Sequence, residues 1–198
     1  MINYSKDTDN IVTLTLDNPT KSANVINKAF GEAFKEVLGK LKAETDLRGI
    51  IVTSAKDTFL AGADIDEMFA ESDAQKFFEQ AQEFKAGLRW IETQGKPVVA
   101  AINGTALGGG LEMTLNCHRR IVINNPKIQL GLPEVTLGLL PGGGGVTRFV
   151  RILGLQPAFP LLTEGKKLSP QEALSTGLIH ELVATKEELL AKLADKEK

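Results

Sequence analysis

Two glutamates set among glycine, proline and apolar residues are the groups in this sequence best suited to moving protons. The first lies in Gly108-Gly109-Gly110-Leu111-Glu112-Met113-Thr114-Leu115. Adjacent glycines running into a helix-forming stretch predict a helix that begins near Gly109, with first-turn amides that lack partners inside the helix. Glycine lets a ligand approach that backbone closely, and the helix dipole adds about half a positive charge there. Glu112 comes three residues after Gly109, so its carboxylate should project from the same face about one turn along. An oxyanion donor and an acid/base group would then share one pocket. The second glutamate stands in Gly131-Leu132-Pro133-Glu134-Val135, with no other charge beside it. Carboxylates in apolar company acquire raised pKa values and suit proton transfer near neutrality.

Each signal also has a plainer reading. A triple glycine serves tight turns and close helix-on-strand packing, Glu112 fits a helix start, and Glu134 fits the first turn of a helix after Pro133. Pro141-Gly142-Gly143-Gly144-Gly145 before Arg148 lacks the Lys-Ser/Thr end of a phosphate loop and reads as a turn into a helix. Gly108-Gly109-Gly110 lacks the third glycine and the distal acidic residue of a dinucleotide fingerprint. His118 and His180 have no cysteine or histidine at ligand spacing, so no metal site is expected, and His118-Arg119-Arg120 reads as a solvated helix end.

The elements that must position these groups alternate in type. Ile11-Val12-Thr13-Leu14-Thr15-Leu16 alternates like a strand and stops at Asp17-Asn18-Pro19. Ile26, Phe30, Ala33, Phe34, Val37, Leu38 and Leu41 form a helical stripe, and Gly49 to Thr53 reads as a buried strand. Ala74, Phe77, Phe78, Ala81, Phe84, Leu88 and Ile91 predict a second long helix, followed by a strand over Pro97 to Ile102. This order implies an α/β layer architecture with ligands at the loops beyond strand ends. Two such loops stand out: Leu60-Ala61-Gly62-Ala63-Asp64 and Gly104 to Gly110. Beyond Pro141 the chain reads as helices over Gly145 to Ile152, Gln156 to Leu162 and Pro170 to Ser175. A strand-like Ile179 to Val183 follows, then an amphipathic Lys186 to Lys196 carrying Leu189, Leu190 and Leu193.

Composition narrows the classes. With 198 residues, 42% hydrophobic and 24% charged, the chain reads as one ordinary globular domain. A net charge of -2 provides no global basic field for nucleic acid or anionic membrane. The single cysteine, Cys117, cannot form an internal disulfide, and the first residues lack the apolar stretch of a signal peptide. A reducing, cytoplasmic setting is expected. No apolar run approaches the roughly 20 residues that span a bilayer.

Taken together, Phe59-Leu60-Ala61-Gly62-Ala63-Asp64-Ile65, Asn103 to Glu112 and Leu130 to Gly142 resemble the crotonase (enoyl-CoA hydratase/isomerase) superfamily. The resemblance runs from about Ile11 to Val183. It implies the crotonase fold, repeated ββα units in a spiral of sheet, with coenzyme A lying across the loops. By resemblance, the amides of Ala63 and Gly109 hold the thioester oxygen, and Glu112 and Glu134 hold one water between them. Ala61, Gly62, Asp64, Ile65, Asp66 and Gly108 border the coenzyme, which is part of the substrate; no separate cofactor is expected. The implied reaction is hydration of 2-enoyl-CoA thioesters in fatty-acid β-oxidation. Shifting a double bond from position 3 to position 2 is the alternative on the same site. An RNA-binding role, known among relatives, lacks a basic surface here.

Two departures qualify the resemblance. The chain ends at Lys198, where stand-alone hydratases continue into helices that cover the site and build a trimer. With Asn124-Asn125-Pro126-Lys127 before Glu134, it resembles the N-terminal hydratase domain of the multifunctional fatty-acid oxidation complex α subunit. That implies residues 1–198 as one domain of a longer chain, a weakened trimer, and a thiolase subunit as partner if the complex forms. Met68, Phe69, Phe77, Phe84 and Trp90 are candidates for an acyl tunnel, with Phe77 and Phe84 assigned to the core.

Overall fold

The structure, a computed structural model, describes residues 1–194. A hairpin opens it, β1 (Ile2–Lys6) running antiparallel to β2 (Ile11–Leu16). Helix α1 (Lys28–Ala43) follows, capped by Asn27, whose side chain accepts the Phe30 N–H at 2.9 Å. Its predicted stripe is buried through Phe30, Phe34, Val37, Leu38 and Leu41. Each such side chain removed from water contributes about 2 kcal/mol.

Three units then repeat one pattern. Strands β3 (Gly49–Ser54) and β4 (Thr58–Leu60) precede helices α2 (Ile65–Ala70) and α3 (Ala74–Thr93). Strands β5 (Val98–Ile102) and β6 (Thr105–Leu107) precede α4 (Gly109–Leu115). Strands β7 (Arg119–Ile123) and β8 (Leu130–Gly131) precede a 3-10 turn, Pro133–Leu137, and α5 (Gly145–Leu153). The chain continues through α6 (Leu155–Thr163), β9 (Lys167–Leu168), α7 (Pro170–Ser175), β10 (Glu181–Val183) and α8 (Lys186–Ala194). The first strand of each unit joins a six-stranded sheet ordered β1-β2-β3-β5-β7-β10, and the second joins a four-stranded sheet ordered β4-β6-β8-β9. Within the three units all pairings are parallel. The expected ββα repeat is therefore present. Asn103 fastens one sheet corner to the preceding one, its Nδ2 donating to the carbonyls of Ser54 (3.0 Å) and Lys56 (2.8 Å).

The short strand β6 lies in a segment that the sequence reads as a loop, β4 runs into another, and β8 has no assignment in the sequence reading. At two or three residues they are too brief to show alternation. Strand β7 was hidden for another reason. His118-Arg119-Arg120 is not a solvated helix end, because Arg119 and Arg120 begin β7 and point to opposite faces of the sheet. Arg119 meets Glu181 at 3.0 Å on the outside, while Arg120 is buried. Its guanidinium donates to the carbonyls of Leu178 (2.8 Å), Cys117 (2.7 Å) and Thr114 (3.3 Å). The last two belong to the C-terminal end of α4, where a cation complements the helix dipole.

Helix α3 departs from its predicted stripe. Only Gly87, Leu88 and Ile91, all in its C-terminal half, are buried, and Phe77, expected in the core, is 44% exposed. In the N-terminal half the apolar side chains are exposed or at most partly covered, Phe78 at 55%. Phe84 does pack inward, its ring 5.4 Å from that of Phe34. The predicted stripe of the last helix is half met, with Leu189 buried and Leu190 exposed. The Leu193 side chain and the expected extension to Lys196 lie outside what is described. Cys117 is buried, and burial pushes its thiol up to about 12. No helix among the described residues is long and apolar enough to cross a membrane.

Arg120 offers a test of this packing. Arg120→Met removes three buried hydrogen bonds, leaving the Leu178 and Cys117 carbonyls without this donor while Thr114 keeps the Cys117 N–H, and should lower stability by about 3 kcal/mol. Arg119→Met, which removes an exposed ion pair, should change it by less than about 0.5 kcal/mol. Urea unfolding reads both; equal midpoints for the two variants would contradict the inward placement of Arg120.

Candidate active site

The expected site groups converge at the carboxyl ends of β4, β6 and β8, three neighbouring parallel strands. Ligands of open parallel sheets characteristically sit at such ends. Strand β4 delivers Ala61 to Asp64, β6 delivers Gly108 and Gly109, and β8 delivers Glu134 within the following turn. Pairing between Gly108 N–H and the Gly131 carbonyl (2.9 Å) fixes the second against the third.

The first loop is shaped by Ile26. Its main chain accepts from Asp64 N–H and donates to the Gly62 carbonyl, both at 2.8 Å, forming an isolated bridge opposite Ala63. Alternate amides of an extended segment point to opposite sides, so the Ala63 N–H faces away from Ile26. It donates to no group among the described residues, and neither does the Gly109 N–H at the first position of α4. Gly62 and Gly108 hold positive φ, +97° and +53°, conformations that side chains disfavour. The two loops also touch through backbone: a methyl group on Gly62 would lie 3.2 Å from the Leu107 carbonyl oxygen and 3.9 Å from the Gly108 Cα.

Glu112 is 3% exposed and Glu134 is half-buried. A methyl group on Gly109 would lie 3.9 Å from Glu112 Oε2, and one on Gly108 would lie 3.1 Å from Glu134 Oε1. The two carboxylates thus border adjacent glycines, Glu112 at Gly109 and Glu134 at Gly108. Burial pushes the Glu112 carboxyl above its ordinary range, and the backbone N–H groups of Gly145 and Gly143, then Arg148 and Lys85, pull partly against it. The Gly145 N–H reaches Glu112 Oε1 at 2.7 Å. Burial raises Glu134 more plainly, to about 7, with its own backbone N–H opposing and the charge of Glu112 adding. Glu134 Oε2 is buried with no donor among the described residues.

The remaining predicted residues lie along the rim. Ile65 and Asp66 are exposed at the start of α2, Ala61 is partly covered, and Asp64 forms an ion pair with Lys21. Among the acyl-tunnel candidates, Phe69 is exposed like Phe77, and Trp90 lines a separate cavity of about 240 Å³ with Leu41 and Leu47. Three contributors escaped the sequence reading. Ile26 brackets Ala63 and packs over Gly109. Asn24, buried, binds the carbonyls of Leu16 and Phe59 through its side chain and Ala61 N–H through its carbonyl. Gly143 to Gly145, expected only as a turn, hold Glu112. A signal existed for the last: repeated glycines ending at a helix start offer free amides, as they do at Gly109.

The chain belongs to the enoyl-CoA hydratase/isomerase family, whose profile matches residues 6–196, and it has the crotonase fold. The fatty acid oxidation complex subunit alpha of Shewanella halifaxensis is 42% identical over 182 residues, 91% of this chain and 26% of that protein. This chain therefore spans about a quarter of the length of the curated relatives it matches. Enoyl-CoA hydratase from Bacillus anthracis superposes with a TM-score of 0.88 at 33% identity, covering 98% of this chain and 75% of that one. The enzyme of that name from Bacillus halodurans gives 0.89 at 28%, covering 98% and 77%.

The raised carboxyls set the pH response. A carboxyl whose pKa is higher folded than unfolded binds more protons in the native state, so stability falls as pH rises between the two values. For Glu134 that window runs from its ordinary value, 4.5, to about 7. Glu134→Gln should therefore gain stability relative to the parent as pH climbs from about 5 to about 8. Denaturant titrations across that range check it, and a constant difference would mean that Glu134 ionises normally.

Proposed function

We propose that the chain hydrates trans-2-enoyl-CoA thioesters to 3-hydroxyacyl-CoA, in the manner of fatty-acid β-oxidation. One observation carries the reading: two carboxylates of different environment border Gly108 and Gly109, beside two unpaired amides. The Ala63 and Gly109 N–H groups receive the thioester oxygen. That oxygen gains charge as an enolate-like species forms, and donors fixed beforehand stabilise it selectively in the transition state. Losing one such donor typically costs about 3 kcal/mol of barrier.

Glu112 and Glu134 share one water. Glu112 takes a proton from it as its oxygen attacks C3, and Glu134, protonated at the start, delivers a proton to C2. Proton exchange between the pair then restores both. The raised value of Glu134 suits a group that must still carry a proton near pH 7. Ala61, Gly62, Asp64, Ile65, Asp66 and Gly108 border the coenzyme, which is part of the substrate, and no other cofactor is needed. The single cysteine, a buried free thiol, supports a reducing cytoplasmic setting. Double-bond migration from position 3 to position 2 is a second reaction that Glu134 suits, since its unpartnered Oε2 is free to carry a proton between carbons.

Glu112→Gln and Glu134→Gln should each reduce hydration at least about a hundredfold, with thioester affinity nearly unchanged. Because one water is shared, the double variant should be little worse than the worse single one. Loss of the conjugated enoyl absorbance measures turnover, and near-normal rates in either variant would overturn the shared-water assignment.

A further inference from the structure

We propose that the cavity beside Gly143 and Gly144 receives the far end of the acyl chain, and that this end carries a carboxylate. The preferred substrates are then 2-enoyl thioesters of dicarboxylic acids. The inference rests on the hydratase reading above.

Position comes first. In that reading the acyl chain starts at the amides of Ala63 and Gly109 and passes Glu112 at C3. Glu112 lies against Gly143, where a methyl group would stand 2.8 Å from Oε2. Gly143 and Gly144 in turn border a cavity of about 360 Å³. Its other walls are Gln82, Lys85, Ala86 and Arg89 of α3 and Arg148 of α5. Atoms beyond C3 are thus directed past Gly143 and into this space.

The chemistry of the walls decides what can end there. A site for an apolar tail is lined mainly by apolar side chains, because the burial of hydrocarbon is what holds it. Here no Leu, Ile, Val, Met or Phe takes part. Three cations do, and they are incompletely neutralised. Glu92 is shared by Arg148 at 2.6 Å and Arg89 at 2.7 Å, while Lys85 has no ion pair among the described residues. Arg148 Nε is also buried without an acceptor. A hydrocarbon tail could touch Ala86, the glycines and the side-chain stems, but it would strip water from the cationic ends without replacing it. A terminal carboxylate would replace that water with charge-assisted hydrogen bonds. The excess charge already reaches the reacting centre, since Lys85 and Arg148 both act on Glu112.

The test compares the full chain on crotonyl-CoA, trans-2-hexenoyl-CoA and trans-2-hexenedioyl-CoA. The expected result is kcat/KM at least about tenfold higher for the dicarboxylic than for the methyl-ended six-carbon thioester. Raising salt from about 50 mM to about 500 mM should shrink that ratio, because screening weakens the pairing. Lys85→Gln, a change at an exposed position, should shrink it by about tenfold as well. If crotonyl-CoA is hydrated but hexenoyl-CoA is used as well as or better than hexenedioyl-CoA, the proposal is overturned while the hydratase reading stands. A ratio unmoved by salt and by Lys85→Gln overturns it too. If none of the three is hydrated, the hydratase reading itself falls, and this inference with it.

Discussion

A carboxylate as deeply covered as Glu112 must be given donors or remain protonated, and here the donors arrive from a different repeat unit. Glu112 sits on the helix of the second unit, whereas Gly143 and Gly145 lead into the helix of the third. For their amides to reach the carboxylate the loop must press against it, and a methyl group on Gly145 would stand only 2.9 Å from Oε1. The loop is itself held from behind. Arg148, one turn into α5, pairs with Glu92 on α3 and so ties the first unit to the third. Three units meet at one buried carboxyl.

That arrangement separates the two glutamates chemically. Glu112 is nearly inaccessible yet supported by amides and by nearby cations, so its tendency to stay protonated is opposed. Glu134 is less covered but also less supported, and the neighbouring charge of Glu112 works against its ionisation. Two carboxyls side by side with unequal support are suited to divide acid and base roles, as the proposed hydration requires. The asymmetry follows from where each sits: Glu112 inside a helix roofed by another loop, Glu134 in a short turn at the end of a two-residue strand.

Much of this was legible in the sequence, for identifiable reasons. Helices α1, α5 and α7 and strands β2, β3 and β5 carry their period or their turn residues openly, and Gly109 advertises a helix start with free amides. The hidden parts depended on contacts distant in sequence. Asn24 and Ile26 look like ordinary residues of an irregular stretch until β4 is laid beside them. Arg120 reads as surface because a basic pair suggests solvent, and only the strand's alternation reveals that one of the two must turn inward. Phe77 fits a helical stripe that is covered only in its C-terminal half, at Phe84, Leu88 and Ile91. Gly143 to Gly145 read as a turn into a helix, which they form, but their amides matter through Glu112, far upstream in the chain.

Half of the groups gathered at the ends of β4, β6 and β8 are main-chain N–H groups. A main-chain amide is encoded by no particular codon, and among common residues only proline abolishes it. On the proposed hydratase reading, the amide half of the site presents a small target to point mutation, and drift at Ala63 can alter size without removing the N–H. On that reading, inheritable change in what this scaffold does must act mainly through the two carboxylates and the side chains around them. Side-chain chemistry can diversify there while the pair of unpartnered main-chain amides passes on unchanged.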